Sequence, residues 1–191
     1  MTGQSSGRYV GPYSVLHSRP VYENPWLKLR EDRVRRQGQD SVYGVVTMKA
    51  GVTVLPVEPN GDVYLVREFK YALGDHSLEA ISGALESGET PDQAGLRELS
   101  EECGLAATEW IDMGQINPFT TIVHSPNHMF LARGLVKERR VRDPGEVLEV
   151  VRMPLEEAFY AVLRGGITHG ASCVLILKAK LFLEHHDGFR K

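Results

Sequence analysis

Through residues 13–48 apolar and polar side chains alternate with the two-residue period of half-buried strands, in runs at 13–17, 26–34 and 41–48. A polar turn, Gln37-Gly38-Gln39-Asp40, separates the last two. Two denser aliphatic and β-branched runs follow at 51–57 and 62–69, and Asn60-Gly61 between them is a hairpin signal. A further short strand is predicted at 78–82. The pattern then turns helical. Thr90 supplies an N-cap, Pro91 a first-turn proline and Gln93 the closing member of a capping box, while Gly104 suits the left-handed residue past the helix end. Beyond it, 110–116, 128–135 and 147–153 read as strands. Pro154 opens a helix to about Leu163, Gly165-Gly166 breaks it, and an amphipathic helix covers 172–185.

The helix between Thr90 and Gly104 carries the densest chemistry. On regular α-helical geometry Glu98 and Glu102 project about 40° apart, with Glu101 about 60° to the other side of Glu98. Leu96, Leu99 and Cys103 gather on the far side, the predicted buried face. Three carboxylates at helical neighbour positions repel one another. A hard divalent cation such as Mg²⁺ or Mn²⁺ reverses that cost, because it prefers oxygen ligands and leaves room for substrate phosphates. An acidic helix whose charges are merely solvated is the plainer alternative for an isolated E-x-x-E-E.

The surrounding residues remove that alternative. Gly83, Glu89, Arg97, Glu98, Leu99, Glu101, Glu102, Gly104 and Leu105 fill every fixed position of G-x5-E-x7-R-E-U-x-E-E-x-G-U, with U aliphatic. Average residue usage puts a chance match at roughly 10⁻⁷ for a chain of this length. The sequence therefore resembles the Nudix hydrolases, metal-dependent enzymes that cleave diphosphates linked to another moiety. The resemblance implies an α/β fold, the Nudix α/β/α sandwich with a mixed central sheet, over residues 48–191, preceded by an N-terminal β extension over 1–47. Strands before the core, then VTVLPVEPNGDVYLVREFKYALG and LEAISGALESGE, resemble the ADP-ribose and nucleoside-diphosphate-sugar pyrophosphatase branch. In that branch the N-terminal strands build a homodimer and help form the substrate pocket.

The resemblance assigns Glu98 and Glu102 as central metal ligands, Glu101 as an additional or water-mediated ligand, and the backbone carbonyl of Ser82 as a further one. Ile81-Ser82 stands where the branch more often has Pro-Ala, a change a backbone ligand tolerates. Glu146, before the apolar run at 147–153, occupies the place of a loop glutamate that acts as base or extra ligand; Glu138 and Glu149 are runners-up, and a solvated loop acid is the other reading. Arg67 stands where the branch contacts phosphate, although a surface ion pair fits equally, and Lys70 offers a point charge where relatives carry arginine. Trp26 suits either stacking on a nucleobase or burial at a dimer interface. In the loop from Asn117 to His128 the chain has Thr120, Thr121, His124 and Ser125 where ADP-ribose pyrophosphatases carry a proline-glycine turn and an acid. His124 and His128 are candidates for contacting a phosphate or sugar, or for a hydrogen bond beside the sheet.

Bulk properties narrow the partners. The 191 residues suit one generous domain or a domain with an extension, and 42% apolar with 25% charged residues is ordinary for a globular protein. A net charge of −3 argues against nonspecific nucleic-acid binding. It leaves nucleotide substrates open, since bound metal inverts the local field. Cys103 falls on the apolar side of the helix as a small core residue and only Cys173 accompanies it, so no disulfide framework is expected. The polar start lacks a signal-peptide core and no apolar run is long enough to span a membrane, so a cytoplasmic location is expected. The leading reading is hydrolysis of ADP-ribose or a nucleotide sugar to a nucleoside monophosphate and a sugar phosphate. Its alternatives are action on coenzyme A, oxidised nucleoside triphosphates or dinucleoside polyphosphates, or a non-catalytic ligand-sensing Nudix domain.

Overall fold

The computed structural model describes residues 8–138 and 147–187. The chain divides into two compact units, Met1–Lys49 with Asn117–Ser125, and Ala50–Ile116 with Pro126–Lys191. In the first unit β1 (Tyr9–Val10), β2 (Tyr13–Glu23), β3 (Leu27–Arg36) and β4 (Gln39–Met48) form an antiparallel meander, and β10 (Val123–His124) adds parallel to β4. Strand β2 runs six residues past its predicted end, because register shifts after Val15 and Pro20 interrupt the strict alternation that marks a strand in sequence. The expected four-residue turn shrinks to Gln37-Gly38, both at positive φ (51° and 81°), as a two-residue hairpin requires. Gln39 and Asp40 therefore join β4, and Asp40 pairs across the ladder with Arg35 at 2.6 Å.

The second unit holds a four-stranded mixed sheet in the order β8 (Ile81–Ala84), β5 (Gly51–Pro56), β11 (Asn127–Lys137), β9 (Leu105–Ile116), in which only β5 and β11 are parallel. A second, antiparallel sheet has the order β12 (Leu148–Pro154), β6 (Asp62–Lys70), β7 (Asp75–Glu79). Three helices complete it: α1 (Pro91–Glu98), α2 (Leu155–Leu163) and α3 (Gly170–Asp187). Along β11, Met129 and Leu131 enter the core shared with α2 and α3, while Phe130 and Ala132 enter the core shared with α1. Successive side chains of a strand point to opposite faces, so a strand covered on both sides reads as one unbroken apolar run. The result is the expected α/β/α layering, with the single predicted sheet resolved into two.

Three further expectations are corrected. Asn60-Gly61 does form a turn, with Gly61 at φ 87°, but β5 and β6 share only the Val57–Val63 bridge before diverging into different sheets. The strand predicted at 78–82 breaks at Ala80, where the chain passes from β7 in one sheet to β8 in the other. The helix after Thr90 has the predicted capping box and Gly104 at φ 64°, but α1 ends at Glu98 and continues as a π-helical turn, Leu99–Cys103. That wider turn abolishes the regular angular spacing used above. Leu96, in α1 ahead of that turn, is exposed, and Ala94, Gly95 and Leu99 make the buried face. Gly95 is required there, since a Cβ would stand 2.7 Å from the Trp110 ring.

Candidate active site

The capping box fixes where α1 starts: Thr90 Oγ1 accepts the Gln93 N–H, and Gln93 Oε1 accepts the Thr90 N–H. Leu99, fully buried, anchors its other end, a burial worth about 1.5–3 kcal/mol. Between these anchors Arg97 gathers the acids. Its Nε and Nη2 donate to the two oxygens of Glu89 at 2.9 and 3.1 Å. Its Nη1 donates to Glu98 Oε1 at 2.8 Å and Glu101 Oε2 at 2.9 Å, and Nη2 also donates to the Ala84 carbonyl at 3.1 Å. Hydrogen bonds to charged groups contribute about 1.5–3 kcal/mol each. The guanidinium holds the Glu89 carboxyl below its ordinary value, assisted by the Glu86 N–H, while Glu89, against the pull of burial, and then Glu98 and Glu101 raise that of Arg97.

Glu98 lies directly against the loop before α1. A Cβ on Gly83 would stand 1.8 Å from Glu98 Oε1, so only glycine leaves room for that carboxylate beside the peptide that follows Ser82. Glu98 and Ser82 are thereby neighbours. Glu102 is buried, at 6% exposure, whereas the Glu101 side chain is 37% exposed. These donors are carboxylate and peptide oxygens, the set a hard divalent cation prefers. Among the described residues no three His, Cys, Asp or Glu side chains converge into a finished cage, and Glu98 and Glu101 both rest on Arg97. The site fits a divalent ion by donor chemistry and by the cradle at Gly83.

The substrate candidates are distributed unequally. Lys70 Nζ sits 2.5 Å from Glu68 and 3.8 Å from Glu79. Burial alone would lower the Lys70 value, but Glu68, Glu79 and Glu102 outweigh it and raise it. Lys70 is thus already engaged by the carboxylates of Glu68 and Glu79, and Glu102 acts on it more weakly. Arg67, three residues earlier on β6, faces the other way, 3.8 Å from exposed Glu149 of β12, and lines an open hollow with His76, Val147 and Leu148. Trp26 and His124 belong to the first unit. Trp26 is 71% exposed beside the start of β3, where Leu27 pairs with Met48, and exposed His124 pairs with the adjacent Thr47. His128 is half-buried on β11 of the second unit. Glu146 lies outside the described residues. Glu138 is exposed and its N–H caps the Gly104 carbonyl at 2.9 Å.

Sequence reasoning overlooked a buried polar group behind this site. Glu79 (6% exposed), His169 and Ser172 meet where β7 gives way to β8, with Ser172 Oγ 2.8 Å from His169 Nδ1 and the latter 3.3 Å from Glu79 Oε2. Two signals were present: an acid inside an otherwise apolar run, and a His-x-x-Ser start to the last helix.

The NUDIX domain family matches residues 47–171, and the family described as nucleoside diphosphate sugar hydrolase N-terminal domain matches residues 13–46. The chain belongs to the Nudix family. It is an enzyme of the Nudix pyrophosphohydrolase class. Over 140 residues it is 33% identical to the ADP-ribose pyrophosphatase of Bacillus subtilis, covering 69% of this chain and 72% of that one. Over 169 residues it is 27% identical to the ADP-ribose pyrophosphatase of Mycobacterium tuberculosis, covering 86% and 82%. The ADP-sugar pyrophosphatase of mouse is 28% identical over 172 residues, covering 80% and 78%. A crystal structure of an ADP compounds hydrolase superposes with a TM-score of 0.81 at 18% identity, covering 94% of this chain and 98% of that one, a likeness of fold.

Proposed function

We propose that this Nudix enzyme hydrolyses the diphosphate linkage of ADP-ribose or a related nucleoside diphosphate sugar, releasing a nucleoside monophosphate and a sugar phosphate. The observation that carries the reading is the assembly of Glu89, Glu98 and Glu101 around Arg97, with Glu98 seated against Gly83 and Glu102 buried on the following turn. The names of the relatives, ADP-ribose and ADP-sugar pyrophosphatases, support the substrate class. Glu98, Glu102, Glu101 and the Ser82 carbonyl would hold Mg²⁺ or Mn²⁺, which brings positive charge to the phosphoryl oxygens and lowers the pKa of the attacking water.

The chain's own groups do the remaining work. Arg97 fixes Glu98 and Glu101, restricting their rotamers before substrate arrives. Lys70 offsets part of the negative charge around Glu102. Glu146, or Glu101 as the most exposed of the three helix acids, takes the proton of the attacking water. Arg67 and Lys70 are the substrate-phosphate candidates in the second unit; Trp26 and His124 remain the candidates that the resemblance offers in the first. The first unit exposes Leu16, Val21, Tyr22, Trp26 and Val42, and these apolar side chains support a homodimer formed through its strands. Neither Cys103 nor Cys173 is in a disulfide, which accords with a reducing cytoplasm. No described helix is long and apolar enough to cross a membrane.

The test is a turnover panel of ADP-ribose, other nucleotide sugars, coenzyme A, nucleoside triphosphates and dinucleoside polyphosphates, each with Mg²⁺ or Mn²⁺, with products resolved chromatographically. Nucleoside monophosphate and sugar phosphate from a nucleotide sugar support the reading. Preferential cleavage of coenzyme A or a triphosphate replaces it.

A further inference from the structure

Ala80 stands at the only break between β7 and β8, where the chain leaves one sheet for the other. Its N–H is not part of either ladder, and a buried amide without a partner costs free energy comparable to a lost hydrogen bond. Ser172, fully buried in the first turn of α3, fills that need: its Oγ accepts the Ala80 N–H at 2.8 Å. The same oxygen lies 2.8 Å from His169 Nδ1, and Nδ1 lies 3.3 Å from Glu79 Oε2. In the tautomer with the ring proton on Nδ1, the imidazole can donate toward both oxygens. Burial keeps the ring neutral by pulling its pKa below the ordinary value, more than Glu79 raises it, and Lys70 adds to the pull.

Two residues beyond Ala80 is the Ser82 carbonyl, and next to it the Gly83 cradle of Glu98. On its other side Glu79 lies 3.8 Å from Lys70. We propose that His169 and Ser172 are positioning residues: with Glu79 they latch the N-terminus of α3 to the β7–β8 corner and so set the seats of the Ser82 carbonyl and Glu98. They act through the corner and touch no reacting atom. The inference rests on the hydrolase reading above for its kinetic consequence, and on the corner geometry alone for its structural one.

The test compares wild type with His169→Ala, His169→Asn and Ser172→Ala, measuring kcat and KM on the best nucleotide sugar well below the melting temperature. Amide hydrogen exchange over residues 79–84 is followed in parallel. Asparagine keeps an N–H donor near the place of Nδ1, whereas alanine removes it. His169→Ala and Ser172→Ala should lower kcat about tenfold or more with KM within about twofold, and quicken exchange over 79–84. His169→Asn should restore most of both. A structural role alone would lower thermal stability in all three while leaving kcat of the folded enzyme intact, and that result overturns the proposal. If wild type turns over nothing in the panel, the hydrolase reading falls. Faster exchange over 79–84 in the alanine variants would then still support the latch, and unchanged exchange would overturn it.

Discussion

A Cβ on Gly83 would stand 1.8 Å from Glu98 Oε1 and 2.1 Å from Glu98 Cδ, closer than any non-bonded atoms approach. The glycine that opens the box is therefore a steric condition for the glutamate fifteen residues later. Gly83→Ala should leave the fold intact, because Glu98 can swing away, but the carboxylate would lose its seat. A misplacement of about 1 Å costs on the order of 100-fold in rate. Steady-state kinetics should show a fall in kcat/KM of that order, with a near-native circular dichroism spectrum. Near-normal turnover would mean that Glu98 works from another position.

Arg97 gives a second test. Its five contacts need a planar fork that reaches Glu89 with two nitrogens and Glu98 and Glu101 with the third. A lysine retains the charge and loses the fork. Arg97→Lys should lower kcat by about 10–100-fold and reduce the melting temperature by several degrees. If Arg97→Lys matched wild type in both, charge alone would be sufficient and the fork geometry irrelevant.

Much of this site was legible in the sequence because its parts are local. The capping box and the glycine stop lie within about two dozen residues and fold as written, whereas the acids between them lose the regular helical angles. The π-helical turn was not legible. It lies where Leu99 and Cys103 join the core beneath α1, a tertiary setting that no local period carries. Separately, α1 turns Ala94 and Gly95 to that core and leaves Leu96 exposed. Strand β2 was cut short because its bulges destroy the period that sequence reading follows. The Glu79–His169–Ser172 group escaped for a different reason: its members stand about ninety residues apart and are joined only by the folding of α3 onto the β7–β8 corner. Lys70 and Arg67 looked equivalent in sequence, yet strand alternation sends them to opposite faces.

Acid should weaken the fold through His169. In the folded state burial depresses its pKa, whereas the unfolded chain has the ordinary value near 6.5. The unfolded state therefore binds more protons as pH falls through that value, and stability declines with it. The contribution is fully present above about pH 6.5. Facing the ring are Glu79, which opposes the effect, and Lys70, which adds to it. Urea unfolding midpoints across pH 5–8 should fall more steeply on the acid side for wild type than for His169→Asn. Parallel curves would assign the acid sensitivity to other groups.

The apolar residues exposed on the first unit predict self-association. Light scattering should give twice the chain mass of 21.3 kDa at micromolar concentration. Removal of residues 1–45 should yield a monomer or an insoluble chain. A full-length protein that scatters as a monomer would separate Trp26 from any shared pocket.

The proton acceptor is the last question the geometry allows to be tested. Glu101 is fixed through Arg97 on the π-helical turn, while Glu146 precedes β12 and lies outside the described residues. A general base contributes about 10²–10⁴-fold to rate. If Glu146 deprotonates the water, Glu146→Gln should lower kcat within that range with little change in KM, as for a group needed in the transition state. Mn²⁺ affinity measured without substrate should hardly change, in contrast to Glu98→Gln and Glu102→Gln, which should weaken Mn²⁺ binding and lose activity by orders of magnitude. Glu101→Gln is the decisive comparison. It removes an acceptor of Arg97 as well as a candidate base, so its Mn²⁺ titration must be read beside its kinetics. A larger loss of kcat in Glu101→Gln than in Glu146→Gln, with Mn²⁺ binding preserved, moves the role to Glu101 and leaves Glu146 without one in the reaction.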